Sequence, residues 1–289
     1  MFAAALCIAC GGGGDAAIGP PPPPPQFNID VRILSEMTPA QRDIVAAAVT
    51  RWTRALSKNL GEFRFKSPAD DCFRGQPAMD ETHHTQIVFV TVGEIDGFNG
   101  GLAGTRACAM SARDTLPLLT HIQLDRVDLD VMERRGILLG VVTHELGHAL
   151  GFNPLTYGPR KLAEGGTTDP YINGRTARAE FAKHGAWYTG VTVPLENQSG
   201  GGPNDPHWRL FVFGDEVMSS SIASGYKSPL SAITLGLFQD LGYTVDFSAA
   251  DPYEVRPLFG DSRVVPEFTF MNDVSRVPPR AFLTPLVRD

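Results

Sequence analysis

The sequence predicts an α+β fold, with a twisted mixed sheet and a buried helix in its first half and a loop-rich second half. Phe27, Ile29, Val31 and Ile33 alternate with Asn28, Asp30 and Arg32, the period of a strand buried on one face. Ile87-Val88-Phe89-Val90-Thr91-Val92 is an unbroken β-branched and aromatic run, suited to a central strand. Residues 133–150 predict a long helix whose second half is apolar on nearly every side, so it must be buried.

The other elements fall between these three. Thr38-Pro39-Ala40-Gln41 offers an N-cap, a proline at the first helical position and Gln at the capping-box position. Ile44, Ala48, Trp52 and Leu56 recur every fourth residue behind it, so a helix runs to about Leu56. Gly97 to Gly104 reads as a glycine-rich loop, and Thr120–Leu124 alternates again as a further strand. Gly151 ends the 133–150 helix, because glycine takes left-handed backbone at little cost. From Phe152 to about Gly225, Gly, Pro, Thr and Asn dominate, which predicts loops. Ser228-Pro229 then opens a last helix carrying Leu230, Ile233, Leu237 and Leu241, with Gly242 as its stop. Residues 251–289 are rich in proline and read as an extended tail packed on the surface.

Composition narrows the class. The 289 residues are 43% hydrophobic and 20% charged, ordinary for a globular chain. The net charge of −7 and the lack of any Lys or Arg run argue against a nucleic-acid partner. No apolar stretch reaches the roughly 20 residues that cross a bilayer. Residues 1–10 resemble the tail of an export signal, with Cys10 placed as in a bacterial lipoprotein processing site, after Ala9 and before Gly11–Gly14. The expectation is an exported protein, either lipid-tethered through Cys10 on the cell surface or periplasmic face, or secreted. Residues 11–26, with Pro20–Pro25, then form a semi-rigid tether. In an oxidising compartment Cys72 and Cys108 can pair as a disulfide; otherwise they are two unrelated buried thiols.

The chemistry sits in His144-Glu145-Leu146-Gly147-His148, an HExxH string inside the long helix. Four residues advance a helix by roughly 400°, so both imidazoles share one face and suit a single zinc ion. Glu145 then stands beside His144 as the general base. A catalytic zinc takes a third protein ligand. The common spacing HExxHxxGxxH would put it at 154, which is Pro154. A glutamate on a following helix would be Glu164, but Lys161–Gly166 is poor helix. His184 and His207 are the histidines that remain downstream, and His184 and the pair His83-His84 read as solvated.

The series His144-Glu145-Leu146-Gly147-His148-Ala149-Leu150-Gly151-Phe152, Val193–Asn197, His207-Trp208-Arg209 and Glu216-Val217-Met218-Ser219 resembles the leishmanolysin-like metzincins. Pro229–Thr234, Asp240-Leu241-Gly242-Tyr243, Ile95-Asp96-Gly97 and Cys108 add to the match, which covers roughly residues 27–253. The resemblance implies His207 as the third ligand and Met218 as an apolar floor beneath the metal. Val217 and Ser219 around the methionine, and Asp205-Pro206 before His207, depart from the family's usual residues. No long pro-segment precedes Phe27, so latency controlled by one is not expected.

The resemblance also implies a metzincin-like architecture: subdomains 27–151 and 152–250 with zinc in the cleft between them. An extended peptide or protein substrate would lie there, with Thr120–Leu124 as the strand it pairs with. The implied activity is a zinc-dependent endopeptidase working through a zinc-bound water, with Glu145 as base. The alternative is a surface-tethered binding or adhesion protein with a non-catalytic zinc.

Overall fold

A computed structural model describes residues 27–98, 100–184, 192–197 and 205–255, with the strand pieces 268–269 and 281–283. Cys10 and the tether 11–26 lie outside the described residues. The main sheet runs in the spatial order Ile29–Ile33, Gln86–Gly93, Pro117–Asp125, Ala103–Ser111, Ala281–Leu283. The first three strands are mutually parallel and Ala103–Ser111 is antiparallel to Pro117–Asp125, so the sheet is mixed.

Thr120–Leu124 lies within Pro117–Asp125 and has a paired neighbour on each side. Its backbone is therefore committed, and the expectation that it is an edge strand is corrected. Among the described residues the open edge is Ala103–Ala107, because Ala281–Leu283 pairs with Ala109–Ser111. Ala103–Ser111 itself went unread in the sequence, since Ala-Gly-Thr-Arg-Ala-Cys-Ala-Met-Ser has almost no β-branched residues.

The first helix, Pro39–Ala55, carries the complete capping box at Thr38 and Gln41. It buries Gln41, Val45, Ala48, Trp52 and Ala55. Trp52 Nε1 donates to the carbonyl of Thr143 at 2.8 Å, tying this helix to the HExxH helix. The predicted helix over 133–150 is two helices, Leu129–Arg134 and Leu138–Leu150. Gly136 breaks it: its φ of 69° takes the chain out of the helix, while the Ile137 N–H closes back on the Met132 carbonyl at 3.0 Å. Leu138–Leu150 is then buried at every position except Leu139.

The second half holds more regular structure than its composition suggests. Arg175–Phe181 is a helix packed on Ala232–Asp240, and the Asp240 carboxylate accepts from the N–H groups of Thr176 and Ala177, each at 2.9 Å. A Cβ on Gly236 would stand 2.9 Å from the backbone of Ala177, so only glycine allows this approach. The last helix starts at Ala232 with Ser231 as its N-cap, later than Ser228-Pro229 suggests. The tail is not merely a surface strap. Asp251 binds Arg51 at 2.5 Å, Phe268–Thr269 pairs with Ser221–Ile222, and Ala281–Leu283, a short apolar run, adds to the main sheet.

Cys72 and Cys108 form a disulfide that closes 36 residues. It fastens the loop of the hairpin Phe63–Ser67/Met79–His83 to the strand Ala103–Ser111. Among the described residues no helix is long and apolar enough to cross a membrane.

Candidate metal centre

His144 and His148 stand one turn apart on Leu138–Leu150, and their Nε2 atoms are 2.9 Å from each other. His207 reaches them from the second half. Its carbonyl accepts from the Glu196 N–H at 2.9 Å, and the next residue, Trp208, donates its N–H to the Met218 carbonyl at 2.9 Å. Held between these segments, His207 Nε2 lies 3.2 Å from His144 Nε2. All three rings are buried, and among the described residues they form the one such cluster with ligand atoms within 4.8 Å of one another.

The far nitrogens fix how the rings are protonated. His144 Nδ1 donates to the Val217 carbonyl at 2.6 Å, His148 Nδ1 to the Phe152 carbonyl at 2.8 Å and His207 Nδ1 to Asp205 Oδ1 at 2.6 Å. Those oxygens accept, so each Nδ1 carries the proton and each Nε2 turns a lone pair inward. Neutral rings in this arrangement cannot hydrogen-bond to one another; a shared cation satisfies all three. Burial drives the pKa of His144 and His148 well below the ordinary value, and their histidine neighbours push in the same direction. The rings therefore stay in the neutral form that a metal requires. The donor set fits a cation that favours imidazole nitrogen.

Gly151 accounts for the aim of His148. With φ at 131°, it turns the chain so that Phe152 N–H reaches the Gly147 carbonyl at 2.9 Å and the Phe152 carbonyl faces His148. Asn153 Nδ2 adds a bond to the His148 carbonyl at 3.0 Å. Gly147 accounts for the place of Met218. A Cβ there would meet Met218 Sδ within van der Waals radii, so the bare backbone lets the buried methionine lie against the helix between the two histidines. Glu216 fixes that turn: its buried carboxyl accepts from Met218 N at 2.6 Å, Ser231 Oγ at 2.7 Å and Thr234 Oγ1 at 2.5 Å. Burial raises the Glu216 pKa, and these hydrogen bonds oppose the rise.

Glu145 is buried, and Thr105 Oγ1 donates to its Oε2 at 2.6 Å. Thr105 belongs to the open-edged strand, so that strand and the HExxH helix meet at this carboxylate. Glu164 is far from this chemistry in its bonding: it is exposed and accepts from Tyr171 and Asn173. His184 is not solvated as expected but half-buried, its ring 5.9 Å from that of Tyr253. His83 is also half-buried, bonded to Glu81 at 2.7 Å, while His84 is exposed. Thr105 and Asp205 were missed as site residues in the sequence. Asp205 stands two residues before His207 and left a signal, as an acid where small polar residues are usual; Thr105 left none.

An α+β fold that buries an HExxH helix and brings a third histidine to its inward nitrogens defines the metallopeptidase class. The leishmanolysin family model (peptidase M8) matches residues 69–255, and the chain belongs to that family. It is 38% identical over 119 residues to leishmanolysin of Leishmania major and 35% identical over 119 residues to that of Leishmania chagasi. Each of those alignments covers 38% of this chain and 19% of the relative. A leishmanolysin homolog of Crithidia fasciculata is 30% identical over 188 residues, covering 62% of this chain and 27% of the relative. The chain thus spans only about a fifth to a quarter of the length of these relatives.

Proposed function

We propose that this chain is a zinc-dependent endopeptidase in which His144, His148 and His207 hold the metal and Glu145 is the general base. The observation that carries the reading is the meeting of three buried, inward Nε2 lone pairs, two from the helix that presents Glu145 and one from His207. When bound, zinc supplies Lewis-acid chemistry, making water acidic enough to ionise near a pH of about 7 and polarising a carbonyl. Glu145 takes the attacking water's proton on its carboxylate and returns it to the leaving amine nitrogen. Thr105 holds Oε2 and fixes the plane in which that proton moves. Met218, packed against Gly147, forms the apolar floor of the site.

The substrate is an extended peptide or protein segment. Ala103–Ala107, the edge left open among the described residues beside Thr105, offers it backbone pairing. Subdomains 27–151 and 152–250 would flank this cleft, the first supplying Glu145 and two histidines and the second His207 and Met218. Export, with Cys10 as a lipid anchor, is part of the same reading and rests on the sequence pattern at residues 1–14.

The test is removal and return of the metal. The full chain should lose hydrolysis of an unfolded protein substrate on chelation and regain it with added zinc. A full rate in the chelated, metal-free protein would overturn the reading.

A further inference from the structure

Thr105 meets the HExxH helix, so by the strand's two-residue period Gly104 and Arg106 point to the opposite face of the sheet. Across the ladder they pair with Gln123 and His121. On that face lies a cavity of about 360 Å³ lined by Phe73, Arg74, Glu94, Arg106, His121 and Gln123, and reaching Thr105 at the strand edge.

Its charges are unbalanced. Arg74 and Arg106 bring two guanidinium groups and Glu94 one carboxylate. Arg106 is half-buried and spends one N–H on the Cys72 carbonyl at 3.1 Å. Among the described residues neither arginine has a carboxylate within ion-pair distance. His121 adds no charge near neutral pH, since burial and then Arg106 push its pKa down to about 4. Its Nε2 is bonded to Thr91 Oγ1 at 2.7 Å. Phe73 stacks on the His121 ring at 3.7 Å and closes the cavity's apolar wall. The Cys72–Cys108 disulfide holds the Phe73-Arg74 loop over it.

We propose that this cavity is a subsite for an acidic side chain of the peptide that pairs along Ala103–Ala107, with Arg106 and Arg74 binding its carboxylate. The inference rests on the peptidase reading above. Position supports it: Thr105 lines the cavity and also touches the Glu145 carboxylate, and a strand advances only about 3.3 Å per residue. The acidic residue would therefore lie within two or three residues of the scissile bond. Volume supports it as well, since the space admits a Glu side chain with its water and does not suit a whole domain or helix.

The test is a set of matched peptides that differ only by Glu or Gln at each position around the cleavage site. Wild type should favour Glu over Gln at one position by about tenfold in kcat/KM, the factor one charge-assisted hydrogen bond carries. Arg74→Gln, at an exposed position, should reduce the preference, and Arg74→Gln with Arg106→Gln should bring it within about twofold of unity. In parallel, fluorescence anisotropy of the same labelled peptides on the Glu145→Gln protein reads binding without cleavage, and should show the same preference. Equal treatment of Glu and Gln by wild type at every position overturns the subsite, as does a preference that survives both substitutions. If no peptide is cleaved, the peptidase reading fails, and the anisotropy comparison still decides whether the cavity selects a carboxylate.

Discussion

His207 Nδ1 donates to Asp205 Oδ1 at 2.6 Å, and both side chains are sealed from solvent. The carboxylate fixes the imidazole's tautomer and orientation. His144 and His148 rely on backbone carbonyls for the same service, so Asp205 is the member of this set that a substitution can remove. Asp205→Asn should weaken zinc binding about 10- to 100-fold, read by competition with a chromophoric chelator. Unchanged affinity would show that His207 needs no carboxylate behind it.

Gly151 joins helix termination to the orientation of His148. In Gly151→Ala the new Cβ would face a backbone at φ 131° and side chains of Thr156, Leu116 and Leu241 at 3.3 to 3.4 Å. The strain should cost about 1–3 kcal/mol, lowering Tm by roughly 2–10 °C. Zinc affinity should fall with it, because the Phe152 carbonyl no longer meets His148 squarely. A variant with wild-type Tm and affinity would contradict the role given to this turn.

The HExxH helix and the Gly151 turn were legible as local strings with fixed spacing, whereas His207 and Met218 were implied only by the family resemblance. What escaped the sequence depends on partners far along the chain. Arg175–Phe181 is a helix because Asp240 caps it and Gly236 lets it close in. Ala103–Ser111 is a strand because Pro117–Asp125 lies beside it and a disulfide holds it, against its own weak propensity. Gly136 was visible inside the predicted helix, yet whether a glycine interrupts or is carried through depends on the packing of Met132 and Ile137, both buried.

The Cys72–Cys108 bridge should be a main source of stability for the first half. Closing 36 residues removes chain entropy from the unfolded state, worth about 3–4 kcal/mol. Guanidinium unfolding with and without reductant should show a lower midpoint for the reduced protein. Superimposable curves would mean the bridge adds nothing.

Acid should weaken the fold through His121. Its folded-state pKa is pushed down to about 4, by burial first and Arg106 second, against about 6.5 for an unfolded histidine. Between those values the unfolded chain binds a proton that the folded chain refuses, so stability falls as pH drops from about 6.5 to about 4 and then levels. The window corresponds to about 3 kcal/mol. Buried His144 and His148 act in the same direction, so the contribution of His121 is read by difference. His121→Gln should lose less stability than wild type between pH 7 and pH 4.5, measured by denaturant midpoints, and parallel losses would contradict this.

In the proposed function Glu145 moves the proton in a peptide hydrolysis at this centre. The most direct measurement compares the zinc-loaded full chain with Glu145→Gln on an unfolded protein substrate, with zinc content determined in both. Wild type should yield internal fragments, the variant should be slower by at least about 100-fold, and both should retain zinc. If both proteins hold zinc and neither cleaves, the centre is a non-catalytic zinc site of a binding protein. If Glu145→Gln cleaves as fast as wild type, the base lies elsewhere.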